Sequence, residues 1–297
     1  IKLVDCLSLY LIFRGEWSIL ESWYDQGIQA AEIISDRESI ASYQSELGWL
    51  AEERGNSERA EQYYNLALNN WRGITSPFGE ALTVFRLGWL YHTRGIWDEA
   101  RHAFERSLEI YEELDHPIGI ANATLGLGGV FESLKEWDKA EGYIKRALSI
   151  YSQIGDSTGV ASAYHHLGEL AGAQKNLDLA REYFLKAFEL FQKAGDKQSL
   201  AKAEKSLGNL NIFSGDIKTG LEHLMTAQSM LIDLGDTLGL ADAYRGIANA
   251  YEKQRDFDRA IEYYELAIQL FEKIPETGYL ADTYRKMGMA LSKKGNE

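Results

Sequence analysis

The chain has 297 residues, 45% of them hydrophobic and 26% charged, so it is long and apolar enough to bury a large core and is not disordered. Its 31 Lys and Arg against 45 Asp and Glu leave a net charge of −14, which excludes a general binder of phosphate backbones or anionic lipid. The lone Cys6 excludes an internal disulfide and a multi-thiolate metal site and fits a reducing, cytoplasmic compartment.

In chain order, residues 1–34 read as a degenerate first helical pair, with Gly15, Trp17 and Tyr24 in register. Ile rather than Met at position 1 is expected of a piece cut from a longer polypeptide. Six full units follow, at 38–74, 78–114, 118–154, 158–194, 198–234 and 238–274, and 278–297 reads as a terminal helix, so that 1–297 forms a single array. The units are defined by columns 40 residues apart: Gly48, Gly88, Gly128, Gly168, Gly208 and Gly288, with Ala248 in the gap. Seven residues before each small residue stands an alanine, from Ala41 and Ala81 to Ala241 and Ala281. A second set contains Ala60, Ala100, Ala140 and Ala180, each followed four residues later by Tyr64, Phe104, Ile144 or Phe184. Apolar and small positions recur at three, four and seven residues, the helical period, so each unit is two helices. In the third unit these cover about 118–134 and about 137–154. Between units, Gly155-Asp156, Gly195-Asp196 and Gly235-Asp236 predict a left-handed glycine closing one helix and an aspartate capping the next.

The Leu-Gly pair, the later Ala, the Tyr or Phe four residues on and the next Ala (Ala67, Ala147, Ala187) resemble the tetratricopeptide repeat, although the period is longer than the usual ~34 residues. Long repeats with Gly-Asp between units resemble those of Pins/LGN adaptors, Rap-type peptide receptors and the C-terminal sensor arrays of STAND signalling ATPases. The resemblance implies an all-α, right-handed superhelix, an α-solenoid whose first helices line a concave groove. It also implies which residues line it: Trp49, Phe85, Trp89 and His92 toward the N-terminus, Leu125, Gly129 and His165 in the middle, and Lys202, Lys205, Asn209, Arg245, Asn249 and Arg285 toward the C-terminus. The same register includes Ile212, Phe213, Glu252, Lys253 and Lys293. Such a strip matches a protein or peptide segment with an apolar anchor and an acidic group, its backbone held by Asn amides. The alternatives are that Trp49 and Trp89 pack on neighbouring helices and that the cations pair with Glu204, Asp242 or Asp282. Lys205 and Asn209 match the spacing of a chaperone-tail carboxylate clamp, but Gly246 and Asp282 stand where that clamp needs Asn and Lys.

Gly126, Gly128 and Gly129 fall inside a helix and follow no strand, so they are not a dinucleotide loop; close helix packing or a ligand niche are the two readings. No phosphate loop and no His-Glu-x-x-His zinc pair occurs. His165, His166 and Glu169 share a helix but make a poor zinc site without a fourth ligand. Cys6 reads as a small core residue. The expectation is a non-enzymatic binding module without cofactor or metal, set in a larger signalling protein. Its alternatives are a scaffold using convex or end surfaces and a Rap-like regulator that occludes a partner. The Rap resemblance calls for an N-terminal three-helix bundle, for which 1–34 is too short.

Overall fold

A computed structural model describes residues 17–273 and 278–295; Cys6, Gly15 and the first half of the degenerate pair lie outside them. Fourteen α-helices and no strand are present among the described residues. The chain divides into two compact units, Ile1–Ile150 and Tyr151–Glu297. The first holds α1 (Trp17–Ile33), α2 (Arg37–Glu53), α3 (Ser57–Gly73), α4 (Pro77–Thr93), α5 (Trp97–Glu113), α6 (Pro117–Ser133) and most of α7 (Trp137–Ile154). The second holds the end of α7, then α8 (Ser157–Ala173), α9 (Leu177–Ala194), α10 (Lys197–Ser214), α11 (Ile217–Leu234), α12 (Thr237–Lys253), α13 (Phe257–Phe271) and α14 (Gly278–Lys294).

Local chemistry sets the helix starts. Asp36, Asn56, Asn176, Asp196, Asp216, Asp236 and Asp256 each accept a hydrogen bond from the backbone N–H three residues on, satisfying a donor the helix cannot. Pro77 and Pro117 open α4 and α6 at positions where a missing N–H costs nothing. Gly155, Gly195 and Gly235 adopt the expected left-handed backbone, at φ 74°, 71° and 68°. Ser35, Thr75 and Asp115 take the same conformation at the equivalent junctions without being glycine.

Packing within each unit follows the columns. Ala41, Ala81, Ala121, Ala161, Ala201 and Ala241 are wholly buried. A Cβ added at Gly48 would lie 2.5 Å from the Tyr64 ring, and one at Gly168 would lie 2.6 Å from Phe184, so the small residue is a notch filled by the following helix. A second glycine column, not singled out in the sequence, serves the next interface: Gly79 packs on Trp71, Gly119 on Tyr111 and Gly239 on Leu231. Within each unit these contacts key one hairpin to the next, and the first helices of successive repeats carry neighbouring side chains in ladders.

Candidate functional site

In the first unit the expected aromatic residues are half-buried and packed on neighbouring rings. Trp49 meets Trp17 of α1 edge-on at 6.1 Å between centroids. Trp89 meets the fully buried Phe104 of α5 at 5.4 Å, and Phe85 meets the same ring at 5.7 Å. His92 sits 5.4 Å from Trp89 and 5.2 Å from Trp97, with Nε2 3.3 Å from Gly129 O and 3.2 Å from Ser133 Oγ. This row is therefore both surface and flank of the core. Leu125 is only 6% exposed and Gly129 is buried, so neither offers the groove surface expected of it. Gly126 is a packing residue, since its Cβ would lie 2.6 Å from Phe104, whereas Gly129 has no such neighbour.

In the second unit, α8, α10, α12 and α14 present a ladder of polar side chains. His165 of α8 is half-buried, its Nε2 3.0 Å from Ser206 Oγ and its Nδ1 3.6 Å from Glu169; burial lowers its pKa. Lys202 is exposed. Lys205 donates to Asp242 Oδ2 at 2.6 Å, while Arg245 donates to Asp242 Oδ1 at 2.5 Å and reaches Asp282 at 3.4 Å. Burial alone would raise the Asp242 carboxyl, but Lys205 and Arg245 hold it down to about 2. Arg285 closes the series, donating to Asp282 at 2.5 Å. The pairing of cations with Asp242 and Asp282, one of the two sequence alternatives, is what this unit contains.

Beside this ladder lies a cavity of about 490 Å³. It gathers Asn209, Arg245 and Asn249 from the expected set, together with Phe213, Gly246, Lys253, Lys286 and Lys293. Four cations and two carboxylates, Asp242 and Glu252, line it. Lys286 donates to Asn249 Oδ1 at 3.2 Å, and the Tyr264 hydroxyl lies 2.8 Å from the same oxygen. Lysine carries only donors, so this contact fixes the Asn249 amide with Oδ1 turned to Lys286 and its two Nδ2 hydrogens left for a carbonyl or carboxylate. Burial, then the neighbouring Arg245 charge, lowers the pKa of Lys286. Lys253 donates to Ile212 O at 2.7 Å and lies over the Phe213 ring, which is 59% exposed. Lys286 escaped the sequence reading, and Gly246 figured there only as a departure from a carboxylate clamp. They stand two residues before the small column, where Arg86 in the first unit likewise crosses to the preceding repeat and reaches Glu46 at 2.8 Å. Charged residues recurring at that register, Glu46, Arg86 and Lys286, are the signal that would have found Lys286.

Comparison with known proteins fits this geometry. Family models described as tetratricopeptide repeat match residues 86–114 and, in overlapping copies, 119–297. No curated protein shows significant similarity. Among solved structures, a Rap protein complexed with Competence and Sporulation Factor is similar at 15% identity and TM-score 0.65, over 88% of this chain and 76% of that one. A plasmid Rap conjugation gene regulator in complex with a Phr peptide is similar at 16% identity and TM-score 0.66, again over 88% and 76%. A STAND protein with a tetratricopeptide repeat sensor from Pyrococcus horikoshii is similar at 18% identity and TM-score 0.60; the match covers 92% of this chain but 42% of that one. At these identities the likeness is one of fold.

Proposed function

The chain belongs to the tetratricopeptide repeat family, and from that premise we propose that it is a non-enzymatic module that binds a peptide or protein segment, as the cytoplasmic ligand-sensing part of a larger signalling protein of the STAND kind. One observation carries this reading: a cavity with more cations than carboxylates, in a chain of net charge −14. An acidic group of the ligand, a side chain or a terminal carboxylate, would pair with Lys286 and Lys253. Asn249 and Asn209 would hydrogen-bond its backbone, and the exposed Phe213 would cover an apolar side chain. The row of Trp49, Phe85, Trp89 and His92 is a second candidate contact surface in the first unit. The Rap structures named with a bound factor or peptide, and the STAND repeats named a sensor, support a peptide or protein ligand. Among the described residues no helix is long and apolar enough to cross a membrane.

Selection from a random peptide display library tests the proposal, with wild type set against an Asn209→Ala/Lys253→Glu variant. Both residues are exposed, so the fold should tolerate the changes and the melting temperature should hold. Wild type should enrich peptides bearing Asp, Glu or a free terminal carboxylate, and the variant should bind them about tenfold or more weakly. No enrichment, or equal binding by both proteins, would sink the reading.

A further inference from the structure

In two repeats a tyrosine of the second helix bonds a glutamate of the first, and the two pairs are completed differently. The Tyr264 hydroxyl of α13 donates to Glu252 Oε2 of α12 at 3.0 Å, and the Tyr64 hydroxyl of α3 donates to Glu52 Oε2 of α2 at the same distance. At Glu252 the other oxygen, Oε1, receives the Lys293 ammonium at 2.6 Å from the next first-type helix, α14. In the first unit the residue at the place of Lys293 is Thr93, near the end of α4. Its hydroxyl turns back on its own helix and donates to Leu90 O at 2.9 Å. Among the described residues, then, Glu52 Oε1 receives no cation, although the helices that flank it, α3 and α4, are both described.

Neighbouring charges do not make up the difference. Arg86 of α4 acts on Glu52 only from a distance, because its guanidinium donates to Ser45 O at 2.9 Å and to Glu46 at 2.8 Å. Burial therefore dominates and pushes the Glu52 carboxyl up to about 7, with the Tyr64 bond and Arg86 opposing the rise and Glu53 adding to it. A half-buried carboxylate without its cation is costly. It stands in the register that lines the cavity of the second unit, where Glu252 is. Half-buried indoles surround it. Trp49 is three residues before Glu52 on the same face of α2, and the repeat sets Trp89 and Thr93 of α4 beside it. The next repeat shows that neighbourhood directly: His92 of α4 meets Gly129 O and Ser133 Oγ of α6 at 3.3 and 3.2 Å.

We propose that the first unit carries a subsite for a lysine side chain of a peptide or protein partner, whose ammonium takes at Glu52 the place that Lys293 fills at Glu252. The incoming Nζ donates to Glu52 Oε1 while Tyr64 holds Oε2, and the ammonium and its neighbouring methylene lie against the indoles of Trp49 and Trp89. The fold itself argues for lysine over arginine. At the equivalent glutamate the occupant it supplies is an ammonium, a compact charge with three donors, rather than a planar guanidinium fork. The subsite is built from the first unit alone, so it does not rest on the acidic-ligand reading of the second-unit cavity.

Selection from a random peptide display library on the full chain tests the subsite, with wild type set against Thr93→Lys. Thr93 is exposed in the last turn of α4, where a lysine suits the helix dipole, so the fold and melting temperature should hold. The new ammonium should then fill Glu52 from the chain itself. Wild type should enrich peptides bearing lysine, and Thr93→Lys should not. A synthetic peptide so enriched should bind Thr93→Lys and Glu52→Gln at least about tenfold more weakly than wild type. Acetylating its lysine Nζ should weaken binding to wild type as much, whereas acetylating its α-amino end should change nothing. Asn209→Ala/Lys253→Glu should keep the lysine preference. The proposal is overturned by the absence of lysine enrichment, by enrichment of arginine alone, or by equal binding to wild type and Thr93→Lys. Loss of binding when the α-amino end is blocked would overturn it too, as would a lysine preference that vanishes with Asn209→Ala/Lys253→Glu rather than with Thr93→Lys.

Discussion

Gly126 and Gly129 stand three residues apart on α6 and answer differently to the same methyl group. Gly126→Ala drives a Cβ to 2.6 Å from Phe104, a ring with no room to retreat, and should cost about 1–3 kcal/mol. Gly129→Ala places its Cβ 3.7 Å from His92 Nε2, an ordinary contact, and should gain up to about 1 kcal/mol of helix propensity. Urea unfolding of the two variants reads the opposite signs. Glu52 gives a pH dependence of its own: burial pushes its carboxyl up to about 7, the Tyr64 hydroxyl at 3.0 Å only partly opposing this. Between about 4.5 and 7 the folded state holds a proton that the unfolded chain has released, so Glu52 makes stability fall as pH rises through that window. Glu52→Gln should flatten the decline in denaturation measured across it. The sequence placed Glu52 four residues after Gly48, but how deep Tyr64 holds it is a property of the packed hairpin.

At the level of the element, helix starts were legible because a cap is a local event: Asp or Asn at the junction accepts from an N–H three residues away. Ile96, like Ser76 before α4, makes no side-chain cap; it opens α5 at φ −92°, ψ 73°, close to the φ −98°, ψ 77° of Asn56. Ile96→Asn should therefore stabilise the chain by about 0.5–1 kcal/mol in thermal or urea melts. The left-handed junctions were legible only where glycine occupies them. Thr75 holds φ 54°, costly for a β-branched residue, because the flanking hairpins fix the turn whatever its sequence. Thr75→Gly should relieve about 1 kcal/mol of strain, seen as a higher melting temperature. The second glycine column at Gly79, Gly119 and Gly239 has the same 40-residue period as the first and was open to the same reading.

At the scale of the whole molecule, the hairpins described within each unit pack on their sequence neighbours, so local damage should stay local. Gly168→Val forces bulk against Phe184 at the α8–α9 interface. Hydrogen exchange should accelerate in α8, α9 and α10 well before α2 and α3; uniform loss of protection would show a single cooperative unit instead. By itself the sequence determined the helical-hairpin repeat, its 40-residue frame, its caps and its knob-and-notch columns, because these rest on interactions within one hairpin that recur in every repeat. Only the tertiary structure decided that Lys205 and Arg245 spend their charge on Asp242 and Asp282, that Leu125 is core, and that Lys286 orients Asn249 in the cavity. Those contacts join side chains 37 to 41 residues apart, one repeat away, and they depend on how far each long side chain reaches rather than on which face of the helix it leaves.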